Sequence, residues 1–348
     1  MSGRQVIAFS SDRRQLKVQH VAAQKVLITG ATGFVGSHAV EHLVRGGHSI
    51  RALVRSTSDT RQLAGVGAEL VSGGLLDTAS VRTAVRDVDV IIHLAAVTHA
   101  RSAAQFHRVN EVATRDLVAA ATGTRPAPHR FVYLSSLAAA GPSRAARPVR
   151  PEDEPRPLTA YGRSKLGGER ACLEALNGLE VVVLRAPAVY GPGDRELLRF
   201  FRIASHGILP VPTGGARPLQ LVHVGDLARA IVLAVTAPQA RGIVHIAEPV
   251  ARPWEEVAKA IARAVGRNAR VWPVPANVIR SVAWVVEAGM RMASRSSLLN
   301  REKAEELLAP GWLCETETAR TALGFVSRIP LEQGLRETAR WYRDNGWL

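Results

Sequence analysis

Three glycines at a fixed spacing, Gly30, Gly33 and Gly36, follow directly on the apolar run Lys25-Val26-Leu27-Ile28-Thr29. The first glycine lets the chain turn sharply off a strand end, the second lets backbone approach a pyrophosphate, and the third lets the next helix sit close on the sheet. A helix opening near Ser37 then aims free N–H groups and its positive dipole end at the phosphates. The run through Leu43 and Val44 has helical apolar spacing, and His48 to Val54 reads as a second strand, completing a β-α-β unit. The pattern predicts a dinucleotide pocket; the competing reading is an ordinary tight turn.

A second constellation is Tyr161 with Lys165, preceded by Ser136. The tyrosine and lysine lie four apart on a helix-like segment that continues to Leu176, so both side chains share one face. A phenol with an ordinary pKa near ~10 is a poor base at neutral pH, and a neighbouring ammonium favours its ionised form. Ser136 ends the apolar strand Phe131-Val132-Tyr133-Leu134, where it can hold a substrate oxygen while Tyr161 moves its proton. Such pairs also arise in helices without chemistry; the glycine turn upstream favours the functional reading.

Seven ordered motifs carry a resemblance: Gly30-Ala31-Thr32-Gly33-Phe34-Val35-Gly36, His93-Leu94-Ala95-Ala96, Val109-Asn110-Glu111, Leu134-Ser135-Ser136, Tyr161 to Lys165, Leu184 to Pro192, and Val222-His223-Val224-Gly225-Asp226. Over nearly everything after residue 24 the chain resembles the extended short-chain dehydrogenase/reductases, which include sugar-nucleotide epimerases, dihydroflavonol-type reductases and 3β-hydroxysteroid dehydrogenase-like enzymes. The resemblance implies an α/β, Rossmann-type doubly wound parallel sheet with helices on both faces and a smaller interleaved C-terminal substrate domain. It implies a catalytic set of Asn110, Ser136, Tyr161 and Lys165, with Asn110 helping to place the lysine through water. The cofactor would meet Gly30, Thr32, Gly33, Phe34, Val35, Gly36, Leu75, Ala95, Ala96, Lys165, and Pro187 to Val189. It further implies a homodimer pairing helices near Ala104 to Ala121 and Tyr161 to Leu176.

The expected organisation is a basic, loosely ordered tail over 1–24 and an NAD(P)-binding domain over 25–190. Segments near 219–246 complete its sheet and form a small satellite sheet, and 191–348 form mainly the substrate region. Helices are expected over Asp194 to His206, Gly225 to Val235 and Trp254 to Val265, and strands over Leu219 to Val224 and Ile243 to Ile246. No linker separates the parts, which places the substrate cleft between them.

Cofactor choice is read at the end of the second strand, Arg51-Ala52-Leu53-Val54-Arg55, where no carboxylate appears until Asp59. An acidic residue there would hold ribose hydroxyls, whereas arginine suits a 2′-phosphate. Arg55 therefore argues for NADP over NAD, against the alternative of a solvated arginine at a strand end. After the third strand, Gly73-Gly74-Leu75-Leu76-Asp77 leaves two options for the adenine: Asp77, or backbone alone.

Composition excludes several classes. The 348 residues, 47% apolar, can bury a full core. Two distant cysteines, Cys172 and Cys314, give neither metal spacing nor a disulfide framework, which fits a reducing cytoplasm. No stretch approaches the roughly 20 apolar residues of a membrane span. The net charge of +15 comes from arginines scattered through every segment, so acidic ligands are favoured over nucleic acid. His38-Ala39-Val40-Glu41-His42 matches a zinc-peptidase pattern, yet it reads as the helix leaving the glycine turn, and no metal is expected.

The substrate is read from two departures and one apolar segment. Sugar-nucleotide relatives carry an arginine four residues before the His223 position, where this chain has Leu219, with Arg217 two residues earlier; dehydratase relatives carry acidic residues where it has Leu137-Ala138-Ala139. Val278 to Met292, with Trp284, Val285, Val286 and Met290, suits a greasy ligand, the protein's own core or a lipid surface. The expectation is hydride transfer between a nicotinamide and a bulky, partly apolar ketone or secondary alcohol, with Lys165 lowering the tyrosine's pKa. A sugar-nucleotide epimerase and a non-catalytic NADP-binding protein are the alternatives.

Overall fold

The computed structural model describes residues 23–144, 147–175, 178–292 and 300–348. The first 22 residues of the expected tail and Leu176 lie outside the described residues, as does the side chain of Met290. Seven strands form one parallel sheet: β1 (Lys25–Thr29), β2 (Ser49–Val54), β3 (Glu69–Ser72), β4 (Val90–His93), β5 (Arg130–Ser136), β6 (Glu180–Ala186) and, further along the chain, β11 (Gly242–His245). The spatial order is β11-β6-β5-β4-β1-β2-β3, and every pairing is parallel. The order reverses between β1 and β4, and ligand crevices of such sheets open at the carboxyl ends of the two strands flanking that reversal.

Strand alternation explains why both faces are covered. Val26 and Ile28 of β1 pack into one hydrophobic cluster and Leu27 into the other; β5 likewise sends Val132 one way and Phe131 and Tyr133 the other. Helices α1 (Phe34–Arg45), α9 (Val224–Thr236) and α13 (Glu317–Leu323) cover the first face. α3 (Thr78–Ala84), α5 (Ala113–Gly123) and α7 (Ala160–Leu173) cover the second. The short helices α2 (Arg61–Gly65), α4 (Ala103–Phe106) and α6 (Leu137–Ala140) sit in connections.

A third cluster lies beyond the sheet's carboxyl edge. It joins α8 (Leu198–Ser205), α10 (Trp254–Ala264) and α14 (Leu331–Asp344) through Phe201, Ile261, Leu335 and Tyr342. Three two-stranded sheets accompany it: β7 (Ala188–Tyr190) with β10 (Leu221–His223), β8 (Ile208–Pro212) with β13 (Arg270–Val274), and β9 (Pro218–Leu219) with β12 (Arg252–Pro253). Helices α11 (Ala276–Met292) and α12 (Arg301–Leu308) pack on each other beside it.

Three expected elements differ from what is found. The strand expected over Leu219 to Val224 is broken at Gln220, whose side chain binds Cys314 N–H and the Glu248 carbonyl; its two pieces lie in small satellite sheets, and β11 alone of the expected pair extends the main sheet. The helix expected from Asp194 starts only at Leu198, because the Asp194 carboxylate takes the N–H groups of Glu196 and Leu197 in a turn. The helix expected over Ala104 to Ala121 is interrupted by a π-helical turn, His107–Val112, containing Asn110.

Candidate active site

The glycine turn closes on itself through Gly33 N–H to the Gly30 carbonyl, 3.0 Å. Gly30 has φ +76°, and a side chain there would bring its first carbon within 2.7 Å of the Ala95 nitrogen, across the strand reversal. A side chain at Gly36 would collide with the Gly30 carbonyl, so α1 rests directly on the turn. Gly33 caps α1 with no side chain of its own, which leaves the first-turn N–H groups facing the crevice. Thr32 is exposed at the turn, and Phe34 and Val35 are half-buried at the helix start. Opposite them, Gly193 comes near the Phe34 ring, and His38 binds the Pro192 carbonyl through Nε2 at 2.9 Å. Backbone cradle, uncapped helix end and close opposite wall together fit a dinucleotide pyrophosphate. Ala95, Ala96, Pro187 and Val189, all half-buried, lie in the segments following β4 and β6 at the same carboxyl edge.

The other expected cofactor contacts are placed unevenly. Arg55 is exposed immediately after β2, and among the described residues its guanidinium has no ion-pair partner. Asp77 caps α3 by accepting Ala79 N–H at 3.1 Å, which commits the carboxylate to the helix. Leu75 is half-buried and packs against the second hydrophobic cluster. The histidines of the zinc-like pattern are used locally: His38 as above, His42 on the His38 carbonyl, and Glu41 against Arg45.

Ser136 and Tyr161 are brought together by close helix packing. Thr159 caps α7 by accepting Gly162 N–H at 3.0 Å, and Glu302 of α12 accepts Ala160 N–H at 2.9 Å. Side chains at Gly162 or Gly168 would collide with the Ala138 carbonyl or the Tyr133 hydroxyl, so α7 lies backbone-close against α6 and β5. Ser136 Oγ accepts Ala138 N–H, 3.1 Å, and keeps its own proton. Loss of hydration pushes the Tyr161 phenol up to about 12, offset by the Ser136 hydrogen bond and reinforced by Glu306 and Glu196. Phe106 meets the Tyr161 ring edge-on at 5.9 Å.

Lys165 departs from expectation. Its Nζ donates to the Leu134 carbonyl at 2.6 Å and lies 4.1 Å from the centre of the Tyr133 ring. Burial pushes it down to about 7, opposed by Glu169 one helical turn on. The ammonium is not among the groups that set the Tyr161 phenol, and the phenol is raised, not lowered. Asn110 makes direct contacts that the sequence did not announce. Its amide binds both polar groups of Val97 and Ser164 Oγ at 2.8–3.0 Å, tying the loop after β4 to α7. Ser164 Oγ in turn donates to the Tyr161 carbonyl.

Sequence reasoning missed the polar groups beneath and beside this set. Glu169 and Arg185, each 1% exposed, form a bidentate pair at 2.7 and 2.9 Å, with Ser135 donating to the same carboxylate. The spacing of Glu169 four residues after Lys165 was the available signal. Thr29, His93 and Thr114 form a buried chain with one consistent direction. Thr114 donates to the Asn110 carbonyl at 2.8 Å, so it accepts from His93 Nε2–H at 2.9 Å, and His93 Nδ1 accepts from Thr29 at 2.6 Å. Burial pushes His93 down to about 3, which keeps it neutral. On the substrate side, His99 pairs with Glu196, and Lys303 lies 6.0 Å from the centre of the Tyr161 ring. Arg217 is spent on backbone: it donates to the carbonyls of Thr213 (2.8 Å) and Leu308 (3.3 Å).

Comparison with known proteins fits this geometry. The model of the NAD dependent epimerase/dehydratase family matches residues 26–247. A ceramide reductase of Caulobacter vibrioides is 33% identical over 327 residues, covering 93% of this chain and 96% of that protein. A 4-hydroxy-2-methyl-3-oxo-4-farnesyl-3,4-dihydroquinoline-1-oxide ketoreductase of Stigmatella aurantiaca is 26% identical, covering 89% and 94%. Among solved structures, MoeE5 in complex with UDP-glucuronic acid and NAD superposes with a TM-score of 0.71 at 25% identity, covering 92% of this chain and 99% of that one.

Proposed function

Since the chain belongs to the NAD dependent epimerase/dehydratase family and is an enzyme of the extended short-chain type, we propose that it reduces a ketone on a lipid-like molecule, with Tyr161 as proton donor. The observation that carries this reading is the Tyr161 phenol, pushed up to about 12 by loss of hydration so that it keeps its proton, with the Ser136 hydroxyl as the neighbour that favours its ionised form. A reduced nicotinamide bound in the crevice would supply hydride to the carbonyl carbon. The residues supply the rest. Ser136 turns its proton to the carbonyl oxygen and orients it. Tyr161, pushed up to about 12, still holds its proton at neutral pH and delivers it to the oxygen as charge develops there. The stretch Leu137-Ala138-Ala139 offers no acid to eliminate water from the product.

Lipid character is supported by three observations. Arg217, the basic residue nearest the diphosphate-gripping position, is tied to carbonyls, while Leu219 holds that position. The named relatives act on a ceramide and on a farnesyl-bearing ring ketone. Phe106, edge-on to the Tyr161 ring, gives the wall beside the phenol an apolar cast. Arg55 makes NADPH the preferred reductant in this reading. A homodimer would pair the outer faces of α5 and α7, which pack side by side, and the location would be cytoplasmic.

The test follows cofactor fluorescence with purified protein, offering NADPH or NADH with long-chain β-keto amides, ring ketones bearing isoprenoid chains, and nucleotide sugars. Net consumption of NADPH with the lipid ketones is expected. Interconversion of nucleotide sugars without net cofactor change would instead establish an epimerase.

A further inference from the structure

Helix α11 turns an apolar face to solvent. Val278, Val282 and Val285 recur at helical spacing and are 44–60% exposed, with Trp284 beside them at 53%, while Ala283 on the opposite side is fully buried. The strand leading into this helix, β13, carries Trp272 at 62% exposure, so the apolar surface extends to the neighbouring strand. From Arg267 to Met292 the sequence holds four arginines, Arg267, Arg270, Arg280 and Arg291, against one acid, Glu287. Glu287 is mostly buried, 17% exposed, and accepts Arg301 N–H. Arg267, Arg270 and Arg280 are exposed; Arg280 is paired with Glu305 of α12, so Arg267 and Arg270 carry the open charge.

Helix α11 packs on α12, and between them lies a groove of about 590 Å³ floored by Trp284, Val285 and Ala304 and flanked by Arg301 and by Arg280 paired with Glu305. The other side of α12 caps the helix of Tyr161, through Glu302 on Ala160 N–H and Glu306 on Thr159. The exposed helix is therefore one helix away from the phenol.

We propose that the outer face of α11 docks on a bilayer surface rich in anionic lipid, with valines and tryptophans in the acyl boundary and arginines among the headgroups. Interfacial helices bind by this combination of apolar area and basic charge. A second copy of the chain is a poorer occupant, because four side chains on one helix fall short of the roughly 20 residues a side of a stable dimer. Docking gives purpose to the lipid-ketone reading, on which its biological meaning rests: substrate would pass from the membrane along α11 and α12 to Tyr161.

The experiment is co-sedimentation of the full chain with phosphatidylcholine vesicles, with and without phosphatidylglycerol, in the absence of ketone and nucleotide. Wild type should pellet with the anionic vesicles only. The variants V282E/V285E and R267E/R270E should bind at least roughly tenfold more weakly while melting at the wild-type temperature. Absence of wild-type binding would overturn the proposal, as would binding unchanged in both variants. Dissociation of a lipid-free dimer by V282E/V285E would also overturn it, by assigning the face to self-association. A protein that binds vesicles yet reduces no ketone would sink the reductase reading alone; one that reduces soluble ketones and ignores vesicles would sink the docking alone.

Discussion

The ammonium of Lys165 is held on the carbonyl of Leu134, 2.6 Å away, at the end of the strand that carries Ser136. One residue of β5 thus orients the lysine while its neighbour two positions on orients the tyrosine. Burial has already brought the lysine close to neutrality, about 7, and Glu169 resists that loss of charge. With Lys165 taken as the cation that holds the nicotinamide ribose, kcat/KM should decline as pH rises through about 7. Glu169→Gln removes the opposing charge, so Lys165 should lose its proton more easily and the decline should move to lower pH. A pH–rate profile identical in the two proteins would contradict the coupling. Glu169→Gln also leaves Arg185 buried without its partner, so a loss of about 3–5 kcal/mol in stability is expected alongside.

Gly36 is where the helix touches the turn. Alanine there would strike the Gly30 carbonyl, costing about 1–3 kcal/mol by overpacking and lifting α1 from the pyrophosphate cradle. Nucleotide affinity, read by cofactor fluorescence, should fall together with melting temperature. Gly65→Ala, which meets nothing within 4 Å, is the matched control and should change neither.

Arg55 is expected to grip the 2′-phosphate of NADPH. Arg55→Glu should weaken NADPH about 10- to 100-fold, the worth of a charge-assisted contact, and leave NADH nearly as before. Equal effects on the two nucleotides would remove the argument for NADP.

Two buried histidines make the fold sensitive to acid. Burial pushes His93 and His245 down to about 3, whereas in the unfolded chain each takes a proton near ~6.5. Between those values the unfolded state binds more protons, so stability falls as pH falls. Asp194, pushed up to about 6, works in the opposite sense between 3.8 and 6 and offsets one of the two. A net loss of roughly 1.4 kcal/mol per pH unit below pH 6 is expected. Thermal melts across pH 7 to 4 would check it, and a flat profile would count against neutral His93 as the link between Thr29 and Thr114.

Much of the fold was legible because period and punctuation agreed. The β1 run, the glycine turn and the alternating strand β5 each matched local preference to global position, and a seven-stranded parallel sheet followed. The π-helical turn around Asn110 was not legible: an extra residue per turn leaves no trace in composition, and the apolar spacing on either side still reads as one helix. Nor was the direction of Lys165. A four-residue spacing puts two side chains on one face, but which carbonyl or ring the longer one finds depends on β5 packed beneath it. Asp77 likewise carried two meanings, adenine partner or helix cap, and the adjacent α3 took it as a cap. Glu169 is the one hidden group whose position advertised it, being acidic and on the buried face one turn past the lysine.

The most direct test of the central claim, that the Tyr161 phenol donates the proton to a ketone reduced from the glycine crevice, is turnover of NADPH with a lipid ketone by Tyr161→Phe. The account predicts a fall of roughly 100- to 10,000-fold in kcat with NADPH binding intact, since the ring stays and only the hydroxyl is lost. Turnover within a fewfold of wild type would contradict it.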